Sequence, residues 1–158
     1  MKILFVCTGN TCRSPMAEGY FRHICAVSGR TDMEVKSAGT FAAGGLGPSP
    51  YSERVMSRRG VDISGHRTRG LDKGLVDWAD LVVVMGDSHT HTVLSLSPGS
   101  SGKTRKLLEF SGKQGDVFDP YGGAEALYEI CFSEMKCALD DLLKELINKG
   151  KGAGHEDC

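Results

Sequence analysis

Cys7 and Arg13 are separated by five small or polar residues, Thr8-Gly9-Asn10-Thr11-Cys12, and followed by Ser14-Pro15. A thiolate at one end of a short loop and a guanidinium at the other suit attack on the phosphorus of a phosphorylated group. Cys7 must be ionised to attack, and a free cysteine has a pKa of about 8.5. A helix N-terminus and a nearby arginine both favour the anion, so a Cys7 thiolate near neutral pH is expected. Arg13 can fold back over a bound phosphoryl group and grip two of its oxygens with a planar fork that lysine lacks. Gly9 permits close backbone approach, and Asn10 tolerates a left-handed conformation. Backbone N–H groups of residues Thr8 to Arg13 would then cradle the anion.

Such a loop needs a strand before it and a helix after it. Ile3 to Val6 is a short apolar run suited to a buried strand. Ser14 reads as an N-cap and Pro15 as the first helical residue. A helix is predicted from 15 to about 27, with Met16, Tyr20, Ile24 and Val27 on one face. Glu34 to Ser37 reads as a strand, Ala38 to Pro50 as a Gly/Pro-rich loop, and 51–59 as a helix stopped by Gly60. Leu81 to Met85 is a continuous apolar run, the mark of a strand buried on both faces. Helical periodicity runs from Glu125 to Lys149 through Leu127, Ile130, Cys131, Ala138, Leu142 and Leu146. Alternating strands and helices predict an α/β fold, a parallel sheet covered on both faces. Ligands bind such sheets at strand carboxyl ends, where Cys7 falls.

The 158 residues suit one domain, expected over 1–149, with a polar and flexible tail over 150–158. A net charge of −1 gives no field to grip nucleic acid. No apolar run is long enough for a membrane span, and Met1-Lys2 precedes too few apolar residues for a signal peptide. The six cysteines, at 7, 12, 25, 131, 137 and 158, show no Cys-x-x-Cys pair and no zinc-ligand spacing. No metal and no cofactor is expected. A cytoplasmic location with mostly reduced thiols fits this pattern, and the expected state is a monomer.

With these motifs in view, the chain resembles the low-molecular-weight protein tyrosine phosphatases over roughly residues 1 to 148. The landmarks are Cys7 to Pro15, Ser37-Ala38-Gly39, Gly60 to Ser64 with His66, Ala79-Asp80-Leu81, and Asp119-Pro120-Tyr121-Gly122. The resemblance implies a three-layer αβα sandwich with a four-stranded parallel sheet and the phosphatase loop after strand 1. It assigns Cys7 as the nucleophile, Arg13 as the phosphate clamp and Asp119 as the general acid. The local chemistry agrees, because a carboxylic acid must protonate the leaving group and later take a proton from water. Pro120 would stiffen the loop that presents it. The resemblance also implies a supporting network of Asn10, Ser14, Ser37 and His66. Cys12 would either pair reversibly with an oxidised Cys7 or serve as a small buried thiol. Cys25, Cys131 and Cys137 fall on predicted helices and read as core.

Thr11 bears on which phosphorylated residue enters. Tyrosine-directed members commonly carry an aliphatic side chain there, whereas the stretch Cys7 to Glu18 resembles the bacterial protein-arginine phosphatases. A hydroxyl suits a polar guanidinium phosphate better than a flat phenyl ring. Phe41 and Tyr121 are the other expected pocket walls, and a tyrosine at 121 could equally stack on a phenyl ring. Phosphoarginine on proteins is therefore the favoured substrate and phosphotyrosine the alternative.

Other readings of the same residues are weaker. Thioredoxin-coupled arsenate reductases need a further cysteine pair, and Gly86 to Ser101 has none. Gly99 to Thr104 looks like the end of an ATP-binding loop, but Ser97 stands where its first glycine belongs. A phosphate sensor without turnover would have no use for Asp119. Arg54, Arg58, Arg59, Arg67 and Arg69 read as a solvated face, able to steer acidic substrates only if they rim the pocket. His89 and His91 follow a strand end, with no partner evident in the sequence.

Overall fold

The computed structural model describes residues 1–152. Its centre is β1 (Lys2–Cys7), flanked by β2 (Glu34–Gly39) and β3 (Leu81–Val84), with β4 (Thr104–Lys106) beyond β3. The order is β2-β1-β3-β4 and every pairing is parallel. The period of two along β1 divides the core. Ile3, Phe5 and Cys7 face a large cluster shared with α1 (Arg13–Val27), α2 (Pro50–Ser57) and α5 (Glu125–Gly152). Leu4 and Val6 face a smaller one with Val76 of α3 (Lys73–Trp78) and Val93 of α4 (Asp87–Leu96). Helices thus cover both faces, the three-layer αβα sandwich. Phe5 and Phe21 meet edge to face at 5.7 Å, as do Tyr20 and Phe132 at 5.2 Å. Burying such a side chain contributes about 1.5–3 kcal/mol. These contacts clamp α1 between the sheet and α5.

From β1 the chain goes to β2 on one side and later returns to β3 on the other. The crossovers part at the carboxyl end of β1, which opens a crevice where Cys7 stands.

Several elements differ from expectation. Helix α1 begins at Arg13 with Cys12 at the N-cap and no side-chain cap, so Ser14 is not the cap and Pro15 is not the first helical residue. Strand β2 runs on to Gly39 because its last residues pair with Val6 and Cys7. Helix α2 ends at Ser57 and β3 at Val84. Three elements had no clear signal. β4 is a three-residue edge strand, Thr-Arg-Lys, with no apolar run. α3 is only six residues long, and α4 is rich in Ser, Thr and His, which are modest helix formers. The Gly99 to Thr104 segment forms a 3-10 turn over Pro98–Lys103 that leads into β4, not a loop before a long helix. Residues 150–152, expected in the tail, continue α5. The rest of that tail, 153–158 with Cys158, lies outside the described residues. Among the described residues no helix is long and apolar enough to cross a membrane.

Candidate active site

A buried hydrogen-bond network, not a side-chain cap, sets the turn from β1 into α1. Asn10 is wholly buried at φ 57°, the one non-glycine left-handed residue among those described. Its side chain holds that conformation in place. Nδ2 donates to Ser14 Oγ at 2.8 Å and to Ser37 Oγ at 3.0 Å, while Oδ1 accepts from the Arg69 backbone N–H at 3.0 Å. His66 Nε2 donates to the Asn10 carbonyl at 2.8 Å. Gly39 closes against the same loop, because a Cβ there would run into the Thr8 carbonyl oxygen. The structure therefore brings together Asn10, Ser14, Ser37 and His66.

One member of this network escaped the sequence reading. Glu18, buried on α1, accepts from Ser37 Oγ at 2.8 Å and lies 3.5 Å from His66 Nδ1 and 3.0 Å from Arg22. Burial works to raise its carboxyl, but His66, Arg22 and Ser37 outweigh that and hold it below the ordinary value. Glu18 lies off the predicted face of Met16, Tyr20, Ile24 and Val27, so nothing in the sequence marked it as buried.

The network fixes the direction of hydrogen bonding at the sulfur. Ser14 Oγ accepts from Asn10, so its own proton is free to donate to Cys7 Sγ, 2.9 Å away. Burial nonetheless dominates at Cys7 and raises its thiol above the ordinary value. Ser14, Arg13 and the backbone N–H groups of Ser14 and Asn10 pull against it. The thiolate expected at neutral pH therefore forms against desolvation, and these donors limit the cost. Ser14→Ala should raise the thiol further and leave less thiolate at pH 7. A hydrogen bond to a charged group is worth about 1.5–3 kcal/mol, so iodoacetate inactivation there should slow about tenfold or more. The midpoint of its pH profile should move up. An unchanged rate and midpoint would remove Ser14 from this role.

Arg13 is buried, its Nη1 donating to the Val117 carbonyl at 3.2 Å. Nη2 reaches Thr8 Oγ1 at 3.5 Å and Asp119 Oδ2 at 3.4 Å. Asp119 is half exposed, and its Oδ1 accepts from the Tyr121 backbone N–H at 3.1 Å. Cys7, Thr11, Arg13 and Asp119 line one cavity of about 430 Å³, with Phe41, Leu46 and Tyr121 at its wall. Phe41 and Tyr121 are largely exposed, at 87% and 77%. None of the five arginines named as a solvated face lines this cavity. Arg58 and Arg59 pair instead with Glu125 and Glu129 of α5.

Cys12 sits under the loop with its sulfur 3.5 Å from Thr11 Oγ1, Ser49 Oγ and Tyr128 Oη. Burial pushes the Cys25 thiol up to about 11 and that of Cys131 up to about 12, which suits core residues. Cys137 is exposed on α5, a correction to its reading as core, since Ala138 and not Cys137 faces the sheet. His89, unassigned from the sequence, is 3% exposed in the first turn of α4 and meets Thr8 Oγ1 at 2.9 Å. Its position could not be read from the sequence because α4 itself had no signal.

The pattern of the family described as low molecular weight phosphotyrosine protein phosphatase matches residues 2–152. A protein-arginine-phosphatase of Geobacillus stearothermophilus is 38% identical over 146 residues, covering 92% of this chain and 95% of that protein. The crystal structure of a low molecular weight protein tyrosine phosphatase from T. tengcongensis is 42% identical, with a TM-score of 0.87 over 92% of this chain and 99% of that one. The YwlE arginine phosphatase, as a C7S mutant with a phosphorylated active-site serine, is 35% identical with a TM-score of 0.87, covering 92% and 95%. The chain therefore belongs to the low-molecular-weight protein tyrosine phosphatase family, and it is a cysteine-dependent protein phosphatase.

Proposed function

We propose that this phosphatase acts on phosphoarginine in proteins through a phosphocysteine intermediate. Cys7 attacks phosphorus, forming the S–P bond as the P–N bond to the guanidine breaks. Asp119, at the cavity mouth, delivers a proton to the departing nitrogen. Arg13 swings its fork from Asp119 onto the phosphoryl oxygens. Asp119 then takes a proton from water as that water attacks the phosphocysteine, releasing inorganic phosphate and regenerating Cys7.

The substrate preference rests on Thr11, which lines the same cavity as Asp119 and whose hydroxyl has the Cys12 sulfur, 3.5 Å away, as its partner. A phenyl ring there would leave that hydroxyl only the weak Cys12 sulfur as partner, whereas a guanidinium supplies N–H donors to it. The similarity to arginine phosphatases supports the same reading. The exposed Tyr121 ring at the mouth supports phosphotyrosine as the second reading, since it could stack on the substrate ring. Turnover of phosphoarginine and phosphotyrosine peptides by wild type and Thr11→Ile separates them. Wild type should favour phosphoarginine, and Thr11→Ile should lower kcat/KM for it about tenfold or more while sparing phosphotyrosine. A wild-type preference for phosphotyrosine that the substitution leaves unaltered would overturn the assignment.

A further inference from the structure

Behind the phosphate loop, away from the Asn10 network, a buried histidine is spent on one hydroxyl. His89 Nε2 lies 2.9 Å from Thr8 Oγ1, while its Nδ1 is buried and has no hydrogen-bond partner among the described residues. A buried orphan N–H is rarer than an under-satisfied buried acceptor. The lone pair therefore belongs on Nδ1 and the proton on Nε2, so His89 donates to Thr8. Burial first, and then the Arg13 charge, push the ring down to about 4 against the pull of Asp116 and Asp119, which keeps it neutral.

Thr8 Oγ1 then accepts twice, from His89 and from Arg13 Nη2 at 3.5 Å. A hydroxyl has two lone pairs and one proton. With both lone pairs engaged, its proton is free, and Thr8 lines the cavity that holds Cys7 and Arg13. We propose that His89 is a positioning residue that aims the Thr8 hydroxyl proton at the bound phosphoryl group, making Thr8 a side-chain donor to it. This rests on the phosphatase reading and is independent of which phosphorylated residue is preferred. The device uses no charge, and when Arg13 turns onto the phosphoryl group the His89 donation still holds one Thr8 lone pair and leaves the hydroxyl proton for the anion.

The test is p-nitrophenyl phosphate hydrolysis with inorganic phosphate as competitive inhibitor, for Thr8→Val, His89→Leu, His89→Gln and the Thr8→Val/His89→Leu double variant. One lost hydrogen bond to an anion corresponds to about tenfold in binding. Thr8→Val and His89→Leu should each weaken phosphate inhibition and lower kcat/KM by about that factor. The double variant should be no worse than Thr8→Val, because the pair acts as one unit. His89→Gln, whose amide N–H can stand where Nε2 stands, should recover most of the loss. Losses that multiply in the double variant, or phosphate inhibition unaltered in His89→Leu, would reduce His89 to a packing role and overturn the proposal. If His89→Leu does not fold, Thr8→Val decides: phosphate inhibition equal to wild type overturns it. A wild type that turns over no substrate would overturn the phosphatase reading as well, a result distinct from normal wild-type turnover with silent variants.

Discussion

Cys7→Ser should abolish turnover of p-nitrophenyl phosphate, with kcat falling by at least about 10⁴-fold, the scale seen when a covalent nucleophile is removed. A serine hydroxyl is a far weaker acid than a thiol, so the same pocket cannot ionise it at neutral pH. The substituted oxygen would also be a poorer leaving group in the second step, so any phosphoserine formed would be slow to hydrolyse. In the YwlE relative such a phosphorylated active-site serine has been captured. Phosphate binding should survive, because the Asn10 network and Arg13 do not depend on the sulfur. Isothermal titration with inorganic phosphate beside the kinetic assay tests both halves. Retention of more than about 1% of turnover would place the nucleophile elsewhere.

Asp119→Asn carries the second large effect, and its size should depend on the leaving group. General acid–base catalysis contributes about 10²–10⁴-fold. Nitrophenolate departs readily without a proton, so its turnover should fall toward the low end of that range. A guanidine must be protonated to leave, so phosphoarginine turnover should fall toward the high end. The second step needs the same carboxylate as a base in both cases. Breakdown of the phosphoenzyme should thus become rate-limiting for p-nitrophenyl phosphate, seen as a burst of nitrophenolate in stopped flow. The geometry permits these roles: the carboxylate is half exposed at the mouth and tied to Arg13 only at 3.4 Å, free to move onto a substrate atom. Equal losses for both leaving groups, with no burst, would leave Asp119 as a partner of Arg13 alone.

The two sets of residues differ in how far each was legible beforehand. Cys7, Arg13 and Asp119 stand in short stretches whose composition states their chemistry, and the resemblance joined the stretches. Cys12, Thr11, Phe41 and Tyr121 likewise fell at the cavity. The cap at Ser14 was misplaced for a physical reason. A serine at a strand-to-helix turn reads as a cap, but here its hydroxyl is engaged by Asn10 and the sulfur and is unavailable to the backbone. Glu18 and His89 could not be placed, and Thr8 was read only for its backbone N–H, since each side chain meets a partner far along the chain, His66 for Glu18 and α4 for Thr8. Short or polar elements such as α3, α4 and β4 left no periodic trace, because their burial comes from neighbours and not from their own pattern.

Local order was therefore sufficient to specify the α/β alternation and the loop from Cys7 to Arg13, which depend on residue type and spacing within about ten positions, while the resemblance added Asp119 as the candidate acid. Packing alone decided the direction in which the Cys7 thiol shifts. The attraction of Arg13 and Ser14 is visible in the sequence, but the desolvation that outweighs it exists only once α1 and α5 close over the end of β1. It also decided which hydroxyl aims where, because a hydrogen bond's direction follows from every partner that reaches it, and those partners meet only when the sheet has formed.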